Sequence, residues 1–190
     1  MNRSFYSLLV SQTATNLGFA LYTMVIVLHL YNETGSTALS ATVTFISVIS
    51  RMISGIFLPS ISDRFRLNTL LIFSQAAQLL LLSGLFILFQ LQLTSITMIW
   101  FFILLFFISF FIGFFSPVKS TIVKAVVPEH SRVKANSLIS SVDQTFLFSV
   151  WTFGGALLAF LGKQTTLIIT MVLLALSVMG LFFIKIERKT

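Results

Sequence analysis

Six long apolar runs, separated by short polar or charged loops, constrain this sequence more than any other feature. A helix of about 20 apolar residues is long enough to cross a bilayer. The runs do not alternate as the strands of a membrane barrel do, and they are too long for such strands. The sequence therefore predicts an all-α, polytopic membrane protein in which residues 1–190 form one bundle. Its six transmembrane helices are expected at approximately residues 5–30, 38–58, 69–89, 96–125, 132–160 and 165–186.

The composition excludes most other classes of protein. Hydrophobic residues make up 57% of the chain and charged residues 9%, whereas soluble domains are about 25% charged. The net charge of +7 comes from basic residues that stand singly between the runs, so it does not indicate a nucleic-acid-binding surface. Without cysteine, the chain can form no disulfide, thiol nucleophile or cysteine metal site. We expect neither a metal nor a cofactor.

The basic residues also predict the orientation. When successive runs cross in alternate directions, one side of the membrane carries only Lys163. Lys and Arg are enriched in cytoplasmic loops, so both termini are expected in the cytoplasm, with the protein in the cell (plasma) membrane. The other side carries nine basic residues: Arg3, Arg64, Arg66, Lys124, Arg132, Lys134, Lys185, Arg188 and Lys189.

Polar residues inside the runs mark faces that avoid lipid. Gln12 and Asn16 lie four apart on the first run and share a broad face with Tyr22. This face either forms interhelical hydrogen bonds or lines a cavity. Stripes of small residues at helical spacing favour close helix packing over ligand contact. They comprise Ser47, Ser50 and Ser54 in the second run, and Ser137, Ser141, Thr145 and Ser149 in the fifth.

Two charges lie deeper in the runs. Asp143 and Arg51 are each roughly 12–13 Å from the predicted cytoplasmic ends of their helices, where a charge costs on the order of 2.5–3.5 kcal/mol. Asp143 and Arg51 are candidates for proton or ion coupling, with a structural ion pair or polar packing of Asp143 as the alternative. Arg51 can pair with it or extend towards the interface.

The fourth run contributes further candidates for a substrate cavity. Lys119 can reach the cytoplasmic interface or line a cavity that opens to the cytoplasm. One edge of the phenylalanine-rich segment, with Phe110 and Phe114, can form an aromatic wall for a hydrophobic ligand. The two histidines, His29 and His130, fall on opposite sides of the membrane, and no hydrolase or nucleotide-binding motif is present. We therefore do not expect an enzyme.

The loop between the second and third runs carries a family resemblance. Asp63 and Arg64 match the signature Gly-x-Leu-Ala-Asp-Arg-x-Gly-Arg-Arg of the major facilitator superfamily, and Arg66 adds a nearby basic residue. Pro59 replaces the first glycine of the signature, and Leu67 and Asn68 replace its final basic pair. Tyr31–Ser36, Val127–Glu129 and Ala135–Leu138 are similar to the macrolide-efflux-like (drug:proton antiporter) branch. The sequence thus resembles the N-terminal six-helix half of such a transporter.

This resemblance implies two three-helix repeats and proton-linked efflux of amphipathic drugs or other small molecules by alternating access. It assigns Gln12, Asn16 and one edge of the fourth run to the substrate cavity. It gives Asp63, Arg64 and Arg66 a role in the conformational change. A bacterial cell membrane is the expected location. The coupling role of Asp143 is our own prediction, separate from the resemblance.

A single half leaves polar helix faces that need a partner. The family is built from two six-helix halves, so we expect three partners: the lipid bilayer, a small amphipathic substrate and a second half. The second half is the remainder of a longer chain, a separate chain, or another copy in a twofold dimer. The alternative is a non-transporting membrane regulator or assembly partner, or an inactive transporter fragment.

Overall fold

The computed structural model describes residues 3–62, 65, 67–92 and 94–182, and this part of the chain is helical without any β-strand. The all-α prediction is therefore confirmed. Each long helix is apolar enough to cross a membrane. One turn of 3-10 helix, Glu129–Ser131, precedes the last of them. The long helices are α1 (Arg3–Thr34), α2 (Thr37–Ser62), α3 (Leu67–Leu88), α4 (Ser95–Val126) and α5 (Arg132–Phe182).

Helix α5 makes two crossings because it is broken at Gly162. As one straight helix, its 51 residues would extend about 75 Å, more than twice the ~30 Å of a hydrocarbon core. Gly162 has φ 77° and ψ 165°, a conformation that glycine adopts without the steric cost of a Cβ. Asp143 and Ser177, on either side of the break, both contact the same turn of α1. The segments 132–161 and 163–182 therefore run antiparallel.

Proline does not end α2 as the sequence suggested. We expected the second helix to stop before Pro59, whereas α2 continues to Ser62. A proline near a helix end removes only one backbone hydrogen bond, and the Ser62 hydroxyl donates to the carbonyl of Pro59 at 3.1 Å. Pro117 lies inside α4, which continues to Val126.

Among the described residues, the two largest apolar clusters lie at opposite ends of the bundle, and a smaller one joins α1 to α5. Helix α1 packs mainly on α5, α2 and α3 both pack on α4, and α3 also contacts α5. The cluster at the end where α1 begins includes Phe5, Leu58, Leu70, Phe114, Ile122 and Leu181. The cluster at the far end includes Tyr22, Leu30, Leu85, Phe101 and Leu167.

A buried polar layer separates the two largest clusters. The hydroxyls of Ser11 and Ser177 lie 2.7 Å apart, and the Ser177 hydroxyl lies 2.8 Å from Gln75 Oε1. Gln75 Nε2 donates to the Thr15 hydroxyl at 2.7 Å. All four side chains are buried. The layer therefore joins α1, α3 and the second segment of α5 through hydrogen bonds rather than apolar contacts.

Two buried glutamines on α3 provide a matched test of this layer. Gln75 has both partners described above, whereas neither polar side-chain atom of Gln78 has a hydrogen-bond partner among the described residues. Gln75→Leu should lower the melting temperature, because it leaves the buried hydroxyls of Thr15 and Ser177 without their hydrogen bonds to Gln75. An unsatisfied buried polar group costs about 1–3 kcal/mol. Gln78→Leu should leave the temperature unchanged or raise it, since it removes unpaired polar atoms. Thermal unfolding in detergent measures both, and an equal loss in the two variants would contradict the assignment.

The two small-residue stripes have different environments. On α2, the Ser50 hydroxyl donates to the carbonyl of Phe106 at 2.5 Å, and the Ser109 hydroxyl donates to Ser47 at 3.1 Å. This stripe packs against α4, as its spacing indicated. The stripe on α5 is mostly exposed, with Ser137, Ser141 and Thr145 at the surface of the chain.

Candidate functional site

The candidate site centres on a contact between α1 and the first segment of α5. Ser11 and Thr15 face the polar layer, so Gln12 projects from an adjoining face of α1. Its Nε2 donates to Oδ2 of Asp143. Gln12 is buried, with 2% of its surface exposed, whereas Asp143 is half-buried. The contact lies about 13 Å along α1 from Arg3, so it places a carboxyl group well inside the bundle.

The Gln12 amide can accommodate either protonation state of this carboxyl group. Its Nε2 donates to Asp143, while its Oε1 is buried without a hydrogen-bond partner among the described residues. An ionised carboxylate only accepts hydrogen bonds, whereas a protonated one also donates. Rotation of the amide by half a turn would present Oε1 to the acid. The arrangement can therefore hold Asp143 in place as a proton binds or leaves.

Arg51 engages a different level of α1. Its Nε donates to the carbonyl of Ser47 at 3.1 Å, and its Cζ lies 4.8 Å from the ring centroid of Phe19. This is cation–π geometry. Phe19 is two turns beyond Gln12, about 10 Å further along the helix. Arg51 and Asp143 thus contact α1 at separate levels, and Arg51 joins α2 to α1.

The other predicted cavity residues are distributed over several parts of the bundle. Asn16 is half-buried, one turn from Gln12. Tyr22 is 1% exposed in the far apolar cluster, with its ring 5.4 Å from that of Phe19. Lys119 lies on α4, but its side chain is outside the described part of the chain. The loop residues Asp63, Arg64 and Arg66 also lie outside the described residues.

Phe110 and Phe114 line a separate pocket. It has a volume of about 280 Å³ and lies between α2, α3 and α4. Helix spacing assigned both rings to one edge of α4, and that edge faces α2 and α3 rather than Gln12. The remaining lining residues are Ile61, Phe65, Thr69, Leu70, Phe73 and Phe111.

A second ionisable cluster, which the sequence did not reveal, lies at the far end of the bundle. His29 Nδ1 is 3.7 Å from Glu33 Oε1, and Lys163 Nζ is 3.5 Å from the same histidine nitrogen. The four-residue spacing of His29 and Glu33 places them on the same face of α1, so the sequence could have predicted this pair. Lys163 could not be added to the pair from sequence, since only the packing of α5 on α1 brings it there.

A family comparison agrees with this architecture. The model of the Major Facilitator Superfamily matches residues 8–190. The chain belongs to the Major Facilitator Superfamily. It is 46% identical over 183 residues to a Bacillus subtilis (strain 168) protein described as the uncharacterized MFS-type transporter YfmI. The match covers 96% of this chain and 45% of that relative, so the chain spans less than half the length of the relative. No solved structure matches.

Proposed function

We propose that this chain forms one half of a secondary active transporter, which exports amphipathic small molecules in exchange for protons by alternating access. The observation that carries the proposal is the contact between Gln12 and Asp143. A carboxyl group inside a membrane bundle is costly, so its presence there favours a functional role. The amide beside it can serve both protonation states, as a residue that binds and releases a proton requires.

The surface around Asp143 favours an amphipathic substrate. Gln144, Phe148 and Trp151 are exposed and follow one another at helical spacing on α5. Amides and aromatic rings on one surface suit a ligand with an apolar body and a cationic group. Asn16 supplies a further amide from α1. Within the family, we place the chain with drug:proton antiporters on this basis and on the sequence similarity described above.

A second six-helix half would complete this surface. Polar groups exposed to hydrocarbon are costly, yet Ser137, Ser141, Gln144, Thr145 and Thr152 are all exposed on α5. A partner half that covers them would turn a lipid-facing surface into a polar passage between halves. The excess of basic residues in the loops on the side of the termini supports an orientation with both termini in the cytoplasm. The expected location is the cell membrane of a bacterium.

An efflux assay tests the proposal directly. Cells that produce the protein are loaded with ethidium, an amphipathic cation, while de-energised, and are then re-energised. We expect several-fold faster loss of ethidium than in cells with the empty vector. Nigericin, which collapses the pH gradient, should stop this efflux, whereas valinomycin should leave most of it. Efflux that nigericin does not affect would overturn proton coupling, and a rate equal to that of the empty vector would overturn export by this chain in a twofold dimer, which is the arrangement that the assay tests.

A further inference from the structure

A cleft opens at the far end of the bundle between α1 and the first segment of α5. Its volume is about 330 Å³. The floor is apolar, formed by Val25, Leu28, Leu158 and Ala159, together with Gly155. The rim is polar and ionisable, formed by His29, Asn32, Glu33 and Lys163. The rim side chains thus lie across the opening between the two helices.

Three ionisable groups meet on this rim. Lys163 Nζ lies 3.5 Å from His29 Nδ1 and 3.9 Å from Glu33 Oε1. Only 8% of the His29 side chain is exposed, against 47% for Glu33 and 40% for Lys163. The imidazole is therefore held in place, while the carboxylate and the ammonium group can exchange their contacts for water.

Neighbouring helices fix the imidazole without adding charge. Its ring centroid lies 4.5 Å from that of Phe89, which follows α3 directly, and 6.4 Å from that of Phe101 on α4. Among the described residues, the ionisable groups in contact with His29 are Glu33 and Lys163. The nearby amides of Gln90 and Gln164 bond to each other at 2.9 Å.

The protonation state of His29 decides which neighbour it can bind. A neutral imidazole can offer the Nδ1 lone pair to the Lys163 ammonium group, and this contact connects α1 to the start of the second segment of α5. Protonation turns Nδ1 into a donor, so it repels the ammonium group and attracts a carboxylate. Glu33, four residues further along the same helix, is the carboxylate within reach.

We propose that His29, Glu33 and Lys163 form a pH-sensitive latch across the cleft. When His29 binds a proton, its Nδ1 contact passes from Lys163 to Glu33. The Glu33 carboxylate exchanges its own contact with Lys163 for the imidazolium, so both connections between α1 and the turn at Gly162 are released. The cleft can then widen. The benefit to transport rests on the function proposed above: with the far end outside the cell, external acid would open the side from which protons enter.

Distance measurements between spin labels test the latch without a transport assay. The chain has no native cysteine, so Tyr31→Cys and Thr165→Cys, at two exposed positions beside the cleft, can carry the labels. The full chain is reconstituted in nanodiscs and titrated from about pH 8 to about pH 5, a range in which histidine changes charge. We expect the label distance to lengthen in a single protonation step.

Variants separate the roles of the three groups. His29→Gln keeps a neutral acceptor for Lys163, so the short distance should persist at every pH. Lys163→Met leaves the imidazole intact but removes the contact across the cleft, so the long distance should be present at every pH. Glu33→Gln should move the transition to lower pH, because the protonated imidazole loses its partner. His130→Gln, at the other histidine, should change nothing.

Two results would overturn the latch: a constant distance in the otherwise unmodified protein, or pH-dependent lengthening that persists in His29→Gln. If His29→Gln does not fold, a pH-dependent distance in Lys163→Met would be the equivalent contradiction. The test is independent of the proposed proton site, since the transition should persist in Asp143→Asn. A negative result in the distance measurement would therefore not contradict proton-coupled efflux, and a negative result in the efflux assay would not contradict the latch.

Discussion

Asp143→Asn is expected to slow efflux driven by the pH gradient strongly while leaving the protein folded. Asparagine has the same shape and can still accept a hydrogen bond from Gln12 through its carbonyl oxygen, but it cannot bind and release a proton. Coupling free energies of 1–3 kcal/mol correspond to changes of about 5- to 150-fold, so gradient-driven ethidium efflux should fall by a factor in this range. The measurement is the nigericin-sensitive rate in re-energised cells.

The design separates coupling from structure. Exchange of labelled for unlabelled ethidium, which needs no proton gradient, should continue in Asp143→Asn. Glu129→Gln is the matched control, because Glu129 is an exposed acid in the loop before α5, and it should leave efflux unchanged. Nigericin-sensitive efflux at the original rate in Asp143→Asn would remove this residue from the mechanism. Loss of efflux and exchange together, with a lower melting temperature, would show that the carboxylate is structural.

The sequence predicted the architecture well because hydrophobicity along the chain determines it. Apolar runs of bilayer length predict helices, and the turn expected around Gly162 is where the structure breaks α5. The predicted distance of Asp143 from the cytoplasmic end of its helix also identified its carboxyl group as costly to place in the membrane. Its contact with Gln12 spans 131 positions of sequence and depends on how α5 packs against α1. Periodicity does not contain this information.

Arg51 illustrates the limit of measuring depth from predicted helix ends. Counting back from Pro59 gave it the same depth as Asp143. Helix α2, however, continues to Ser62, and the Arg51 guanidinium lies over Phe19 rather than at the level of Gln12. A proline in the last turn costs one hydrogen bond, and surrounding contacts can compensate for it. The actual end of the helix was therefore not readable from the proline alone.

The serine stripes show a related limit. Spacing of three to four residues identifies a helix face, but it does not identify what covers that face. Ser50 and Ser54 on α2 are fully buried, and Ser50 bonds to α4, whereas Ser137 and Ser141 on α5 are exposed. The same spacing thus belongs to a buried helix contact on α2 and to an uncovered surface on α5. That difference is what leads us to propose a second half on α5.

A large loss of stability is expected from Gly113→Val, where α4 lies close against α2. A Cβ at Gly113 would lie 2.5 Å from Ser54 Oγ, 2.6 Å from Ser54 Cβ and 3.2 Å from Arg51 Cα. The short serine side chain and the α2 backbone cannot yield as a long flexible side chain would, so the helices must separate. Overpacking of this kind costs about 1–3 kcal/mol. Gly113→Val should lower the free energy of unfolding more than Gly113→Ala, because its side chain is larger.

A matched glycine isolates the steric effect from helix propensity. Alanine is favoured over glycine inside a helix by about 0.5–1 kcal/mol, so Gly55→Ala on α2, with nothing within 4 Å of the new Cβ, should maintain or raise the melting temperature. Gly113→Ala should lower it despite the same gain in propensity. Ser54→Gly should partly rescue Gly113→Ala, because it removes the two nearest atoms and leaves Arg51 Cα. A melting temperature of Gly113→Ala at or above that of Gly55→Ala would show that α2 and α4 do not pack this closely.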